Sequence, residues 1–272
     1  MLLSNLLAEI NFSALGAAVT IMAIIAVLFA VLIVIVSHFT AVKTDEKAEQ
    51  IKDLLSNANC GGCGYAGCAD FAKALAEGKA DISACGPTSK ENKKKIAELL
   101  GATVSGEDLA AFVHCNGGAA AADKFVYVGN KGCGAINAVG GGNKACAFGC
   151  LGDGTCAAAC DFDAVKITDG VAAVDKEKCV ACGKCVKACP KHIIELLPKT
   201  VKVIVACSSL CKGKDVISAC KNGCIGCGIC AKFCPENAIE MKDNLPKIDY
   251  KKCSGCLTCV EKCPRKCIHE IK

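Results

Sequence analysis

The chain has 272 residues, of which 26 are cysteine, and its formal net charge is +5. About one residue in ten is therefore cysteine, far above ordinary usage. Aromatic residues are few, with nine Phe, three Tyr and no Trp. This composition excludes a conventional enzyme with one large aliphatic and aromatic core, because such a core needs bulky side chains to bury. Disulfides or metal must therefore stabilise parts of the chain.

The first element along the chain is an uncharged run of 26 residues from Phe12 to Ser37. As a helix it would be about 39 Å long at ~1.5 Å per residue, enough to cross a bilayer core. A cleaved signal peptide is the alternative, but no basic residue precedes the run and no small-residue cleavage site follows it. We therefore predict a membrane anchor over residues 1–43, with a single transmembrane helix at about 12–37.

Charge around this run predicts an orientation. No Lys or Arg precedes it, whereas Lys43, Lys47 and Lys52 follow it. The positive-inside rule places the remainder of the chain in the cytoplasm, and reduced thiols need the same compartment. The expected localisation is the cell inner (cytoplasmic) membrane, single-pass, with the cysteine-rich part in the cytoplasm.

Residues 44–101 are predicted to form a small α-rich module around one cluster. A helical pattern at 44–56 precedes the motif NCGGCGYAGC, whose glycines permit turns that direct several sulfurs to one point. The expected ligands are Cys60, Cys63, Cys68 and Cys85. Four cysteines without a competing histidine favour a 4Fe-4S cluster, with zinc as the alternative.

Three later segments follow the spacing C-x2-C-x2-C-x3-C, each with a proline next. They begin at Cys179, Cys224 and Cys253. This is the bacterial ferredoxin spacing, in which the fourth cysteine ligates the other cluster of a pair. Zinc knuckles and disulfides are the alternatives, but three complete runs with a trailing proline favour iron–sulfur ligation.

An internal repeat organises these runs. Adding 74 to nine cysteine positions gives nine others, including Cys133 to Cys207 and Cys146 to Cys220. Alternating segments at 165–175 and 239–249, each broken by a turn, separate the cysteine runs. We therefore predict an α+β fold with two tandem βαββαβ ferredoxin-like domains, at 133–198 and 199–272, after a linker at 102–132.

The spacing assigns ligands to four clusters in these domains. In the second domain the two sets are Cys224, Cys227, Cys230 and Cys263, and Cys253, Cys256, Cys259 and Cys234. In the first domain one set is Cys179, Cys182, Cys185 and Cys160. The other set lacks a ligand, because Asp153 occupies the position equivalent to Cys227. We predict that Cys146 completes this set, which is then Cys146, Cys150, Cys156 and Cys189.

Five clusters account for 20 of the 26 cysteines. A candidate sixth cluster between the repeats would use Cys115, Cys133, Cys207 and Cys220. The alternative is that these four are small buried hydrophobic residues, as cysteine often is. Cys211 and Cys267 are expected to remain free thiols.

The order of one apolar N-terminal span, NCGGCGYAGC with a distal ACGP, and then ferredoxin runs resembles the B-subunit family of the Rnf complex. That complex is the ion-translocating ferredoxin:NAD+ oxidoreductase of bacterial membranes. The resemblance implies an electron-transfer subunit of a Na+ or H+ translocase. It would accept electrons from reduced ferredoxin and pass them along 4Fe-4S clusters to integral membrane and NAD-binding subunits. Two ferredoxin domains resemble the longer, polyferredoxin-like members.

The sequence contains no G-x-G-x-x-G motif after a strand, no P-loop and no flavin motif, and its four histidines are dispersed. We therefore expect no catalytic residue, only one-electron transfer through the iron of the clusters. Lys93, Lys94 and Lys95 form either a solvated helix face or a surface for an acidic electron carrier. Nucleic acid is not an expected partner, since the lysines are not interleaved with aromatics. The alternatives are a membrane-anchored polyferredoxin subunit of another reductase or hydrogenase, and a non-redox zinc scaffold.

Overall fold

The apolar N-terminal run forms one long helix, α1, Phe12–Thr40. The structure is a computed structural model that describes residues 12–40, 46–102 and 108–271. The chain divides into two parts, Met1–Glu46 and Lys47–Lys272, and α1 belongs to the first. Residues 1–11 and 41–43 of the predicted anchor, 44–45 of the predicted module, 103–107 of the predicted linker and residue 272 lie outside the described residues.

Helix α1 corrects the prediction of a transmembrane segment. Within the described residues, no helix is long and apolar enough to cross a membrane. The helix is confirmed, but the predicted transmembrane helix at 12–37, and the single-helix anchor built on it, is wrong.

The N-terminal module, residues 46–102, is built from three helices around a small apolar core. They are α2, Glu46–Leu54, α3, Cys68–Ala76, and α4, Lys90–Leu100, with a 3-10 turn at Ile82–Ala84. Helix α4 begins where Ser89 Oγ accepts a hydrogen bond from the Asn92 amide, and it ends at Gly101 in the left-handed conformation. Ile51, Phe71, Leu75 and Ile96 are at most 1% exposed and form the centre of this core.

The first ferredoxin unit, residues 108–198, contains four short strands and three helices. They are β1, Leu109–Val113, α5, Cys133–Ala138, α6, Thr155–Ala158, β2, Val165–Thr168, β3, Val171–Val174, α7, Lys184–Ala188, and β4, Ile194–Pro198. Strand β1 pairs antiparallel with β4, and β2 pairs antiparallel with β3. A 3-10 turn lies at Gly118–Ala120.

Strand β1 comes from the segment that was predicted to be a linker. Its residues Ala110, Ala111 and Phe112 are buried, and their pairing partners are Leu197, Leu196 and Glu195. Such a distant pairing leaves no local periodicity in the sequence, because only the partner strand makes this segment extended. The first ferredoxin unit therefore begins well before Cys133.

The second ferredoxin unit, residues 203–271, repeats this arrangement. Its elements are β5, Val203–Val205, α8, Gly213–Ala219, α9, Ile229–Lys232, β6, Ile239–Lys242, β7, Leu245–Ile248, α10, Thr258–Lys262, and β8, Ile268–Glu270. Strand β5 pairs with β8 and β6 with β7, both antiparallel. Both units thus contain the β-α-β-β-α-β order, which supports the ferredoxin-like part of the predicted fold.

The structure changes one part of the repeat. From Cys146 onward the two units correspond with the offset of 74 residues, but β1 and β5 end at Val113 and Val205, 92 residues apart. The first unit therefore has an 18-residue insertion between Cys115 and Cys146. As a result, the structural counterpart of Cys207 is Cys115, which also lies two residues after its strand, and not Cys133.

Hydrogen bonds support this correspondence. The Cys150 amide donates to Cys115 Sγ at 3.3 Å, and the Cys224 amide donates to Cys207 Sγ, also at 3.3 Å. Cys150 and Cys224 occupy equivalent positions in the two units. Cys133 therefore lies within the region lengthened by the insertion, and its 74-residue match with Cys207 does not reflect a shared position in the fold.

Cysteine replaces much of the usual apolar core in the second ferredoxin unit, where six of the ten buried core residues are cysteine. In the N-terminal module the cysteines are only two of nine buried core residues. Thiols bury little apolar area compared with Leu, Ile or Phe, so the second ferredoxin unit gains less from the hydrophobic effect. We therefore expect its stability to come largely from bound metal.

Removal of iron from the anaerobically purified full chain is expected to unfold the second ferredoxin unit before the N-terminal module, because most of the buried core of that unit is cysteine. Hydrogen exchange measured by mass spectrometry before and after chelation tests this order. Protection should disappear first in β6 and β7 and persist in α3. Full protection of β6 and β7 in iron-free protein would contradict it.

Candidate iron–sulfur cluster sites

All 26 cysteines are free thiols in the structure. Within the described residues, no group of three or more His, Cys, Asp or Glu side chains converges closely enough to hold a single metal ion. Most of the cysteines lie in sets around small cavities, and the sets are described below in order from the C-terminus.

Two cavities in the second ferredoxin unit are each lined by four cysteines of the predicted sets. The first, of about 320 Å³, is lined by Cys224, Cys227, Cys230 and Cys263. The second, of about 340 Å³, is lined by Cys234, Cys253, Cys256 and Cys259. In each set the last cysteine of one run joins the first three of the other, which is the exchange that two-cluster ferredoxins make.

Cys267 also lines the first of these cavities. It is 1% exposed, and its Sγ lies 3.5 Å from Cys263 Sγ. A hydrogen bond from the Cys267 thiol lowers the pKa of Cys224 to about 6. The equivalent residue of the first unit is Ile193, which is also buried, so this position belongs to the core of the fold and Cys267 is an additional thiol beside the site.

In the first ferredoxin unit, one cavity of about 320 Å³ is lined by a predicted set, Cys160, Cys179, Cys182 and Cys185. The Ala111 amide of β1 donates to Cys179 Sγ at 3.3 Å. Burial, and then the neighbouring thiolates of Cys179 and Cys182, raise the pKa of Cys185 to about 12. The sulfurs of this set therefore face one another in a partly desolvated space.

The second set of the first unit differs from the prediction. Burial, and then the neighbouring thiolates of Cys150, Cys133 and Cys189, raise the pKa of Cys156 to about 11. Cys133 thus faces the three remaining ligands, whereas Cys146 lines a different cavity. The structure therefore places Cys133 where the sequence predicts Cys146.

Local hydrogen bonds explain how Cys133 reaches this position. The Asp153 carboxylate accepts a hydrogen bond from the Gly132 amide, and Thr155 Oγ1 accepts one from the Cys133 amide at 2.7 Å. Asp153 occupies the position that is Cys227 in the second unit. It also holds Gly132, so it fixes the loop that brings Cys133 to this set. The signal that would have identified Cys133 is the insertion between Cys115 and Cys146, which the 74-residue match conceals.

In the N-terminal module, Cys68 and Cys85 are buried in the core and Cys63 packs against it. Asn59 Oδ1 accepts a hydrogen bond from the Cys68 amide at 2.8 Å, and Cys85 Sγ lies 3.1 Å from Thr88 Oγ1. Burial raises the pKa of Cys85, and the Cys63 thiolate contributes in the same direction. The fourth predicted ligand, Cys60, faces Cys182 of the first ferredoxin unit.

The N-terminal module meets the first ferredoxin unit through backbone contacts at two glycines. A Cβ atom at Gly62 would collide with the carbonyl oxygen of Cys182, and one at Gly86 would collide with that of Val180. Gly62 lies between the predicted ligands Cys60 and Cys63, and Gly86 directly follows Cys85. The ligand loops of two cluster sites therefore touch each other, and only glycine permits this approach.

The last cavity, of about 700 Å³, lies between the two ferredoxin units. Three residues of the predicted sixth set, Cys115, Cys207 and Cys220, line it, and Cys133 does not. Cys146 and Cys211 line it as well. Cys133 therefore lies with Cys150, Cys156 and Cys189, where the sequence predicts Cys146, and Cys146 lines the cavity where the sequence predicts Cys133.

The donor chemistry of these sets suits 4Fe-4S clusters. Each set offers four thiol ligands, and backbone amides donate to several of the sulfurs, as they do in iron–sulfur proteins. When bound, the cluster supplies a one-electron redox centre, while the protein positions it and adjusts its potential through hydrogen bonds, charge and burial.

Exchange of Cys133 and Cys146 predicts how single and double variants lose iron. Cys133→Ala alone should remove about four iron atoms from anaerobically purified protein. The double variant Cys133→Ala with Cys156→Ala should lose no more than Cys156→Ala alone, because both residues serve one cluster. Cys267→Ala, which removes a buried thiol that is not a ligand, is the matched control and should retain full iron. Additional loss in the double variant would refute the assignment.

The raised pKa values of Cys156, Cys185 and Cys230 predict a pH dependence of cluster assembly. Burial is the first cause in each case, and it raises the pKa of Cys230 to about 11. These groups carry a proton at neutral pH in the iron-free site, and each must lose it to bind iron. Iron incorporation should therefore weaken as pH falls from about 8 to about 6. Absorbance during anaerobic reconstitution measures this, and equal incorporation at both values would disprove it.

Comparisons with known proteins match the cysteine-rich regions. Residues 55–87 match a family described as "Putative Fe-S cluster". Residues 172–195 match the "4Fe-4S binding domain" family, and residues 223–267 match the "4Fe-4S dicluster domain" family.

Three relatives cover most of the chain. The B subunit of the Na(+)-translocating ferredoxin:NAD(+) oxidoreductase complex of Acetobacterium woodii is 41% identical, over 92% of this chain and 76% of the relative. The B subunit of the ion-translocating oxidoreductase complex of Methanosarcina acetivorans is 38% identical, over 88% of this chain and 91% of the relative. The B subunit of the proton-translocating ferredoxin:NAD(+) oxidoreductase complex of Clostridium ljungdahlii is 38% identical, over 92% of this chain and 90% of the relative. The chain therefore belongs to the B subunits of ion-translocating ferredoxin:NAD+ oxidoreductase (Rnf) complexes, and it is an iron–sulfur electron-transfer subunit of such an oxidoreductase translocase.

Proposed function

We propose that this subunit accepts electrons from reduced ferredoxin, passes them through a series of 4Fe-4S clusters and delivers them to membrane and NAD-binding subunits of its complex. Five clusters follow from the sets described above: one in the N-terminal module and two in each ferredoxin unit. Their proposed ligands are the four predicted cysteines in each case, except that Cys133 replaces Cys146.

The contact between the N-terminal module and the first ferredoxin unit is the observation that carries this proposal. Electron transfer needs closely spaced centres, and here the Cys60–Cys63 loop lies against the loop that contains Cys182. Within each ferredoxin unit one short helix joins the two cluster sites, because it carries a cysteine of one set and ends at a cysteine of the other. These helices are α7, which ends at Cys189, and α10, which ends at Cys263. The cluster sites therefore form a series, with the N-terminal module at one end.

The second ferredoxin unit offers the electron-accepting end. Cys256 is exposed, although it belongs to a cluster set, and the neighbouring Lys251 and Lys252 are also exposed. An exposed ligand brings the cluster close to a docked partner, and a positive surface attracts an acidic ferredoxin. We therefore propose that electrons enter near Cys256 and leave from the N-terminal module.

We also propose that the subunit works at the cytoplasmic face of the cell membrane. The names of its relatives include ion translocation, a process that requires a membrane between two compartments. The many free cysteines favour the reducing side of that membrane. The named ion is Na+ for one relative and the proton for another.

The variant Gly62→Ala tests the proposed route in the assembled complex. The added Cβ pushes the two ligand loops apart, so ferredoxin-dependent NAD+ reduction should fall several-fold while the iron content stays unchanged. Gly86→Ala should act in the same way, because its Cβ pushes the segment after Cys85 away from Val180 in the same loop of the first ferredoxin unit. Stopped-flow absorbance should still show rapid reduction of the ferredoxin-unit clusters by reduced ferredoxin.

Gly134→Ala is the matched control, since a Cβ there has no atom within 4 Å, and it should leave the rate unchanged. Normal NAD+ reduction in both junction variants would overturn the proposed route. Slow reduction of the ferredoxin-unit clusters in Gly62→Ala would instead reverse its direction, because electrons would then enter through the N-terminal module.

A further inference from the structure

Six cysteines line the cavity between the ferredoxin units. Cys150 belongs to a cluster set of the first unit, and none of the five proposed clusters uses the others, which are Cys115, Cys146, Cys207, Cys211 and Cys220. Three of them come from the second unit and two from the first. The cavity is about 700 Å³, compared with about 320 to 340 Å³ for the three four-cysteine cavities within the units. It therefore has room for a group of cluster size.

Hydrogen bonds between the units fix the walls of this cavity. The Lys221 amide donates to the Ala120 carbonyl at 2.9 Å, directly beside Cys220. Ser208 Oγ donates to the His114 carbonyl at 2.8 Å, and these residues are the neighbours of Cys207 and Cys115. Backbone held from both units gives the sulfurs fixed positions, which is what a cluster site requires.

The cysteines of the cavity are related by the duplication. Cys115 corresponds to Cys207, since each follows its strand by two residues, and Cys146 corresponds to Cys220. A Cβ at Gly117 would lie 3.5 Å from both Cys115 Sγ and Cys220 Sγ, so sulfurs from the two units lie beside one glycine. Two copy-related pairs thus face one another across the junction.

The electrostatics of the thiols agree with this arrangement. Burial raises the pKa of Cys146, and the thiolates of Cys115, Cys220 and Cys211 raise it further. Burial also raises the pKa of Cys207 to about 11, and Cys146 is among the thiolates that contribute. Each of these sulfurs therefore lies close enough to its neighbours to feel their charge.

Copy-related cations hold the backbone of residues that line the cavity. Arg265 Nη2 donates to the Cys220 carbonyl at 2.8 Å, and Lys191 Nζ donates to the Ala147 carbonyl at 2.8 Å, next to Cys146. Lys191 and Arg265 are 74 residues apart and occupy equivalent positions. A cluster bound by four thiolates carries net negative charge, and nearby cations stabilise it.

We propose that this cavity holds a sixth 4Fe-4S cluster at the junction of the two ferredoxin units, an inference that rests on the electron-transfer function proposed above. Its ligands are the two copy-related pairs, Cys115, Cys146, Cys207 and Cys220. Cys211 is not a ligand, because the residue at the same distance after Cys115 in the first unit is Ala119.

This cluster completes the series. Cys150, a ligand of the first unit, donates its amide to Cys115 Sγ, and Cys224, a ligand of the second unit, donates its amide to Cys207 Sγ. A cluster held by Cys115, Cys146, Cys207 and Cys220 would therefore lie between a cluster set of each unit, where it would supply a one-electron redox centre and no bond would form or break.

Iron and sulfide analysis of the anaerobically purified full chain tests the proposal, together with spin quantitation by EPR after reduction. The wild-type protein should contain about 24 iron atoms, and Cys146→Ala and Cys115→Ala should each contain about 20. The double variant of these two should lose no more iron than either single variant. Cys211→Ala, which alters the same cavity without removing a proposed ligand, should retain about 24.

A wild-type content of about 20 iron atoms, unchanged in Cys146→Ala, would overturn the junction cluster and leave the five-cluster proposal standing. Loss of iron in Cys211→Ala but not in Cys207→Ala would overturn the ligand set. If Cys146→Ala does not fold, Cys220→Ala replaces it, with the same expected loss. Iron-free wild-type protein would instead refute the electron-transfer function itself.

Discussion

Coordination of iron by buried thiolates is the interaction on which the rest of this molecule depends. The second ferredoxin unit has strands of only three or four residues and paired sheets of two strands, too little for an independent hydrophobic core. In the second unit most of the buried core is cysteine. Metal–thiolate bonds therefore take the place of side-chain packing, so folding and cofactor binding are one process. The N-terminal module has a conventional core around Phe71, Leu75 and Ile96, and the core of the first ferredoxin unit also contains more aliphatic and aromatic residues than cysteines.

A second constraint is the close spacing of the cluster sites. Glycine at positions 62 and 86 lets two ligand loops touch without a side chain between them. Between the ferredoxin units, the equivalent closeness comes from backbone hydrogen bonds that join the segments around Cys115, Cys207 and Cys220. Under the proposed route, substitutions at these contacts would leave each cluster intact and still interrupt electron transfer between clusters. The contact residues would therefore position the cluster sites, whereas the cysteines would bind the iron.

The duplication explains why the two ferredoxin units resemble each other, and the insertion in the first unit explains where they differ. The two units share the exchanged four-cysteine sets, the cations at Lys191 and Arg265, and the cysteines that follow their first strands. They differ where Asp153 replaces a ligand, and there the 18-residue insertion supplies Cys133. Asp153 then holds the insertion in place through the Gly132 amide. One lost ligand and one added segment are thus compensating features of the same site.

The chemistry follows from local sequence, because cluster ligation depends on short spacings that lie within a single run of residues. These spacings identify the three complete cysteine runs and the NCGGCGYAGC motif, and they predict that Cys234 and Cys263 each join the set of the other run. Contacts between distant segments depend instead on the fold. The sequence predicts Cys146 beside Cys150, Cys156 and Cys189, whereas the structure brings Cys133 to them. Likewise, β1 pairs with a strand more than 80 residues away. The uncharged N-terminal run correctly predicted a helix, but no helix within the described part of the chain is long and apolar enough to cross a membrane. The spacing of neighbouring ligands can be read from the sequence, whereas contacts between distant segments depend on how the strands and helices pack.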